Sequence, residues 1–146
     1  MNARTNIVTR ILMTLIMVIA PMFAANEITR THALVFAKGN VTAQTFSKAS
    51  ETTTVSGTRF YRAVQQIGTS EEALGKGELA SLGFCVFKNL DATNYVEILT
   101  ATSGVAFIKM KAGETAGPLR IGSGVTAPFA QANTAAVSIE YMCIED

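Results

Sequence analysis

The sequence predicts an all-β protein: a β-sandwich of jelly-roll-like type with about eight short strands, preceded by a short apolar leader. From Asn26 onward no window of eleven or more residues sustains a 3.6-residue apolar period. Instead, short β-branched and aromatic runs recur between turn signals at roughly ten-residue spacing. Length sets the scale. A chain of 146 residues fits one domain, and the part beyond the leader is long enough to bury roughly two-thirds of its unfolded surface.

The leader comes first. Residues 1–10 carry Arg4 and Arg10 and no acid, and Ile11 to Ala25 is apolar apart from Thr14, with Pro21 ahead of Met22-Phe23-Ala24-Ala25. This is the order of a secretory signal, with cleavage expected after Ala24 or Ala25. As a helix the apolar run would cover about 22 Å, short of a hydrocarbon core of about 30 Å, so no stable membrane span is expected. In-frame Met22 offers a second account, in which translation starts inside the leader. Residues 1–25 are therefore set apart from a β-sandwich domain over 26–146.

The strands follow in order. Ala33 to Ala37 and Val41 to Phe46 flank Lys38-Gly39-Asn40, a hairpin turn whose Gly and Asn tolerate positive φ. Thr52 to Ser56 is Thr/Val-rich. Thr58 to Ile67 reads as a strand, although Phe60, Val64 and Ile67 would also suit a helical turn, and Ser70 to Leu74 reads as a loop or short helical turn. Phe84 to Leu90 and Tyr95 to Thr100, separated by Asp91-Ala92-Thr93-Asn94, form the clearest expected hairpin. Val105 to Lys111 alternates so that Ile108 and Met110 share a face opposite the lysines. A turn at Lys111-Ala112-Gly113-Glu114 leads to an edge-like strand, Pro118 to Ile121, because proline cannot donate to a central ladder. Ala127 to Ala130 and Ala135 to Ile144 complete the set, the latter with Val137, Ile139, Tyr141 and Cys143 on one face.

Several function classes lack support in the residues. Lys+Arg at 12 against Asp+Glu at 11 leaves no basic stripe for nucleic acid. His32, the single histidine, has no nucleophile in a motif beside it and reads as a surface residue near a strand start. Glu71 and Glu72 diverge in either regular conformation, and Gly75-Lys76-Gly77 and Gly122-Ser123-Gly124 lack phosphate-loop spacing. Asn40-Val41-Thr42 matches a glycosylation tripeptide that is common by chance. No enzyme activity, cofactor or metal is expected. Cys85 and Cys143 lie in apolar runs and read as buried free thiols, with a disulfide between adjacent strands as the alternative in an oxidising compartment.

One cluster stands out as an interaction surface. Arg59, Phe60, Tyr61 and Arg62 interleave aromatic and basic side chains, which suits a carbohydrate or a partner's acidic edge. The same composition suits an edge strand whose arginines keep other strands away.

The stretches Lys88 to Ile98 (KNLDATNYVEI), Ile108 to Glu114 (IKMKAGE) and Ala130 to Tyr141 (AQANTAAVSIEY), with Ile144-Glu145-Asp146 after them, resemble small structural proteins of tailed bacteriophages. A weaker resemblance runs through Gly57 to Tyr61 and Ile67 to Glu72, so that it spans roughly residues 26 to 146. The leader departs from that family, whose members begin near the counterpart of Ala25 to Arg30. The resemblance implies a β-sandwich virion component that decorates or cements the particle through contacts with other capsid or tail proteins. It implies a homo-oligomer, with a trimer favoured, located in the virion. The leader supports the alternative, a secreted or periplasmic β-sandwich of adhesin-like or carbohydrate-binding function.

Overall fold

A computed structural model describes residues 28–40 and 42–146; the leader and Val41 lie outside the described residues. Among the described residues ten strands form, in three sheets. The first two, β1 (Ile28–Phe36) and β2 (Gln44–Thr53), pair only with each other, around a turn in which Gly39 takes a left-handed φ of 55°. The other eight make the body: β3 (Phe60–Ile67), β4 (Glu72–Ala73), β5 (Phe84–Asn89), β6 (Val96–Leu99), β7 (Ala106–Met110), β8 (Thr115–Arg120), β9 (Phe129–Ala132) and β10 (Val137–Ile144).

These eight divide into two four-stranded antiparallel sheets, ordered β3-β10-β5-β8 and β4-β9-β6-β7. Successive strands cross from one sheet to the other except at β6–β7, which gives the body the strand order of a jelly roll. The ambiguous stretch before Gly68 is thus a strand, and Glu72–Ala73, expected in a loop or helical turn, forms a short strand against Phe129 and Ala130.

Alternation in the sequence becomes a core between the sheets. Val137, Ile139, Tyr141 and Cys143 all point inward from β10, meeting Ile67, Phe87, Val96, Ile98, Met110, Ala130 and Ala132. Burying a side chain the size of Phe87 or Ile139 stabilises by about 1.5–3 kcal/mol. Met110 is buried and Ile108 half-buried while Lys109 stays exposed, as the alternation of that strand requires. The strand containing Pro118 lies at the edge of its sheet.

Two expectations are overturned. Phe84 to Leu90 and Tyr95 to Thr100 do not form a hairpin: β5 and β6 lie in opposite sheets, and Asp91 to Asn94 turns the chain across the sandwich. Asp91 Oδ1 accepts from the amides of Thr93 (2.8 Å) and Asn94 (2.6 Å), which closes the corner and lowers the Asp91 pKa. The fully buried Asn89 anchors it. Its Nδ2 donates to the carbonyls of Asn94 (2.8 Å) and Lys111 (3.1 Å), and its Oδ1 accepts from the Asp91 amide. The cysteines are not free thiols either. Cys85 and Cys143 stand directly opposite in the β5–β10 ladder, with Cα atoms 4.2 Å apart, and are joined by a disulfide.

Candidate interaction surface

Of the four residues singled out in the sequence, Arg59, Phe60 and Tyr61 line one shallow pocket of about 510 Å³ with Gly77, Glu78 and Leu79, while Arg62 stands apart from it. Arg59 precedes β3 and the rest lie on it, at the edge of its sheet, where alternation sends Phe60 and Arg62 outward and Tyr61 inward. The Tyr61 ring lies 6.1 Å from that of Tyr141 and covers Gly77, whose φ of 57° and closeness to the ring leave no room for a side chain. Arg59 donates to the Glu78 carbonyl at 3.0 Å, and Arg62 pairs with Glu140 across the ladder, lowering the Glu140 pKa. Phe60 alone of the four presents an uncommitted apolar ring, 70% exposed.

Beside Phe60 opens a groove of about 830 Å³. Met142, Ile144, Ile28 and Val55 give it an apolar lining together with Phe60. Its polar rim is already engaged: the Thr58 amide donates to Glu145 Oε2 at 3.4 Å and the Ser56 amide to Asp146 Oδ1 at 3.3 Å. Amides of Ala80 and Thr58, together with Arg59, lower the Glu145 pKa, so this carboxylate stays charged. A second, more polar depression of about 770 Å³ contains Ser81, Arg120 and Asp146, the last two forming an ion pair.

The sequence reading missed the surface at the other end of the first hairpin. The β1–β2 ribbon is tied to the body at its root. There Ile28 is buried, and the Phe84 ring has the guanidinium groups of Arg30 and Arg120 each 4.5 Å from its centroid. Arg30 also pairs with Glu51 at 3.1 Å. His32, expected at the surface near a strand start, is partly exposed on β1 with Nε2 3.9 Å from Glu51. Beyond this charged band the ribbon carries its side chains away from the core. Opposed residues share a face, so Leu34 and Phe46, paired across the ladder, lie on one side with Phe36, while Ala33, Val35, Thr45 and Ser47 occupy the other. Leu34 is 67%, Phe36 51% and Phe46 68% exposed. A signal for this was present in the sequence, because neither hairpin face holds the unbroken row of large apolar groups that β10 has.

Other candidate residues have structural partners. Glu72 Oε1 accepts from the Gly68 amide at 2.7 Å, and Glu71 Oε2 from the Ser103 amide at 2.6 Å, so the two carboxylates brace separate loops. Among the described residues no group of three or more His, Cys, Asp or Glu is placed to hold a metal ion. No helix among them is long and apolar enough to cross a membrane. Comparison with family models, curated proteins and solved structures finds no match.

Proposed function

We propose that this chain is a structural protein of a tailed-phage virion, which attaches to the particle through protein–protein contacts and decorates or cements it. The observation that carries the attachment reading is the β1–β2 arm, whose apolar tip is held out by a charged root and has no cover from its own body. A two-stranded ribbon is marginal in water without a third layer, so a tip of this kind gains from being covered by another protein. The virion assignment draws on the resemblance of residues 26–146 to phage proteins, and the jelly roll is an architecture used by viral capsid subunits. That last support is fold-level analogy. The test mixes the natively produced protein with particles that lack it. Binding at a fixed number of copies per particle, with raised resistance to heat or osmotic shock, is the expected result. A protein with no affinity for any particle component, yet with saturable binding to a glycan, would overturn it.

A second reading, a secreted or periplasmic binding protein, is favoured by one observation, the Cys85–Cys143 bridge. Both cysteines are buried, so the bond forms most readily as the core closes, and the compartment in which folding occurs decides its state. Jelly rolls also serve as lectin domains, which fits this reading equally. Thiol trapping of the protein during expression separates the two: thiols in the cytoplasm and in assembled particles support the virion, and a bridge in the periplasmic fraction supports export.

A further inference from the structure

We propose that the arm tip of one copy of this chain docks in the groove of a second copy, placing Leu34, Phe36 and Phe46 over the floor made by Met142 and Ile144. This rests on the attachment reading and names a partner for the same surface. The two sides match in chemistry. The tip offers three large apolar groups on one face of a ribbon. The groove offers Phe60, Val55, Met142 and Ile144, and the rim amides of Ser56 and Thr58 are already satisfied by Asp146 and Glu145, so a ligand entering it meets mainly hydrocarbon.

Geometry makes the contact intermolecular. Ile28 begins β1 and lines the groove, whereas Leu34 and Phe36 lie six and eight residues farther along the same strand. At about 3.3 Å per residue the tip stands roughly 20 to 26 Å from its own groove. Pairing with β2, interrupted only by a bulge between Arg30 and His32, keeps His32 to Phe36 in an extended ladder that bends at most at the bulge and does not fold back on its root. Each copy therefore carries both halves of a contact that it cannot make with itself. Such a contact is head-to-tail: it closes a ring when the rotation between copies divides a full turn and otherwise runs on as a filament.

The test uses the natively produced chain, sedimentation and single-cysteine cross-linking. Phe46 and Phe60 are both largely exposed, so Phe46→Glu, Phe46→Cys and Phe60→Cys should fold, and cooperative unfolding of each variant checks this. The native chain is expected to sediment as an oligomer, with Phe46→Glu weakening association at least tenfold. A mixture of Phe46→Cys and Phe60→Cys chains is expected to cross-link, and Phe46→Cys alone is not. A native chain that stays monomeric at its highest soluble concentration would overturn the proposal, as would Phe46→Cys chains that cross-link tip to tip in preference to the mixture. The two readings fail separately. A monomer that still binds particles removes this contact and keeps the attachment function, whereas an oligomer with no affinity for particles does the reverse.

Discussion

The arm and the body use strands of similar length, nine and ten residues in β1 and β2 against eight in β3 and β10, and in both successive side chains alternate between two faces. In β10 the alternation buries Val137, Ile139, Tyr141 and Cys143 between two sheets; in β1 and β2 it leaves Leu34, Phe36 and Phe46 more than half exposed. Alternation creates a face, and a second layer is what turns that face into a core. The body has its second layer in its own two sheets, while among the described residues no second layer covers the arm's tip. The arm is held by its own ladder and, at its root alone, by the buried Ile28, by Arg30 over the Phe84 ring and by the part-buried Arg30–Glu51 pair. The two regions should therefore respond differently to the same perturbations.

The largest difference is expected at the disulfide. The bridge closes a loop between residues 58 apart, all of it in the body, and the loss of that constraint on the unfolded chain is worth roughly 4 kcal/mol. The paired substitution Cys85→Ala and Cys143→Ala should lower the body's denaturant midpoint accordingly while leaving the ribbon's ladder unchanged. A loss below about 1 kcal/mol would show that the unfolded chain is already constrained in this region.

Alkaline pH should give a smaller effect, again confined to the body. Burial first, and then the neighbouring Tyr61, push the Tyr141 pKa up to about 12, and the protonated phenol donates to the Gly75 carbonyl at 2.9 Å. The folded state therefore holds its proton more tightly than the unfolded chain, whose tyrosines titrate near 10. Stability from this source is complete below pH 10 and is lost as pH rises toward 12, by an amount on the order of 2 kcal/mol. Tyr141→Phe should flatten that alkaline limb. An unchanged limb in the variant would assign the effect to another group.

The smallest expected change sharpens the comparison most. Leu34→Ser should alter global stability by no more than about 0.5 kcal/mol, because the side chain contributes to no core of its own. In the isolated monomer, arm amides such as those of Leu34 and Phe46 should exchange with deuterium far faster than those of β10. Equal protection in both regions would show that the arm is covered even without a partner.

Much of the body was legible in the sequence where the deciding force is local. The β10 pattern, the turn at Lys111 to Glu114 and the edge position of Pro118 each follow from period, glycine or the missing amide. What escaped depends on which strands become neighbours. Asp91 to Asn94 has turn chemistry that serves a hairpin and a crossing between sheets equally, and only the buried amide of Asn89 distinguishes them. The disulfide needed the knowledge that β5 lies beside β10 in a register opposing Cys85 and Cys143. Of the interaction surface, Arg59 to Arg62 was visible as composition. Arg59, Phe60 and Tyr61 line one pocket while Arg62 pairs with Glu140, and the arm tip was marked in the sequence only by the missing row of large apolar groups on either hairpin face.

The position of β10 carries a consequence for how the chain emerges from the ribosome. It is the central partner of both β3 and β5, yet it is the last of the ten strands to be made. Val137 pairs with Ile67, about 70 residues earlier, and Ile139 with Asn89, about 50 earlier. Until β10 leaves the exit tunnel, β3 and β5 have an empty lane between them, and Phe87 and Cys85 lack Tyr141 and Cys143, their partners across the ladder. The body thus folds in one late step dominated by distant pairings, the kind that forms slowly and leaves strands exposed to other chains. Its thiols also remain unpaired through most of synthesis, because Cys143 arrives only with that final strand.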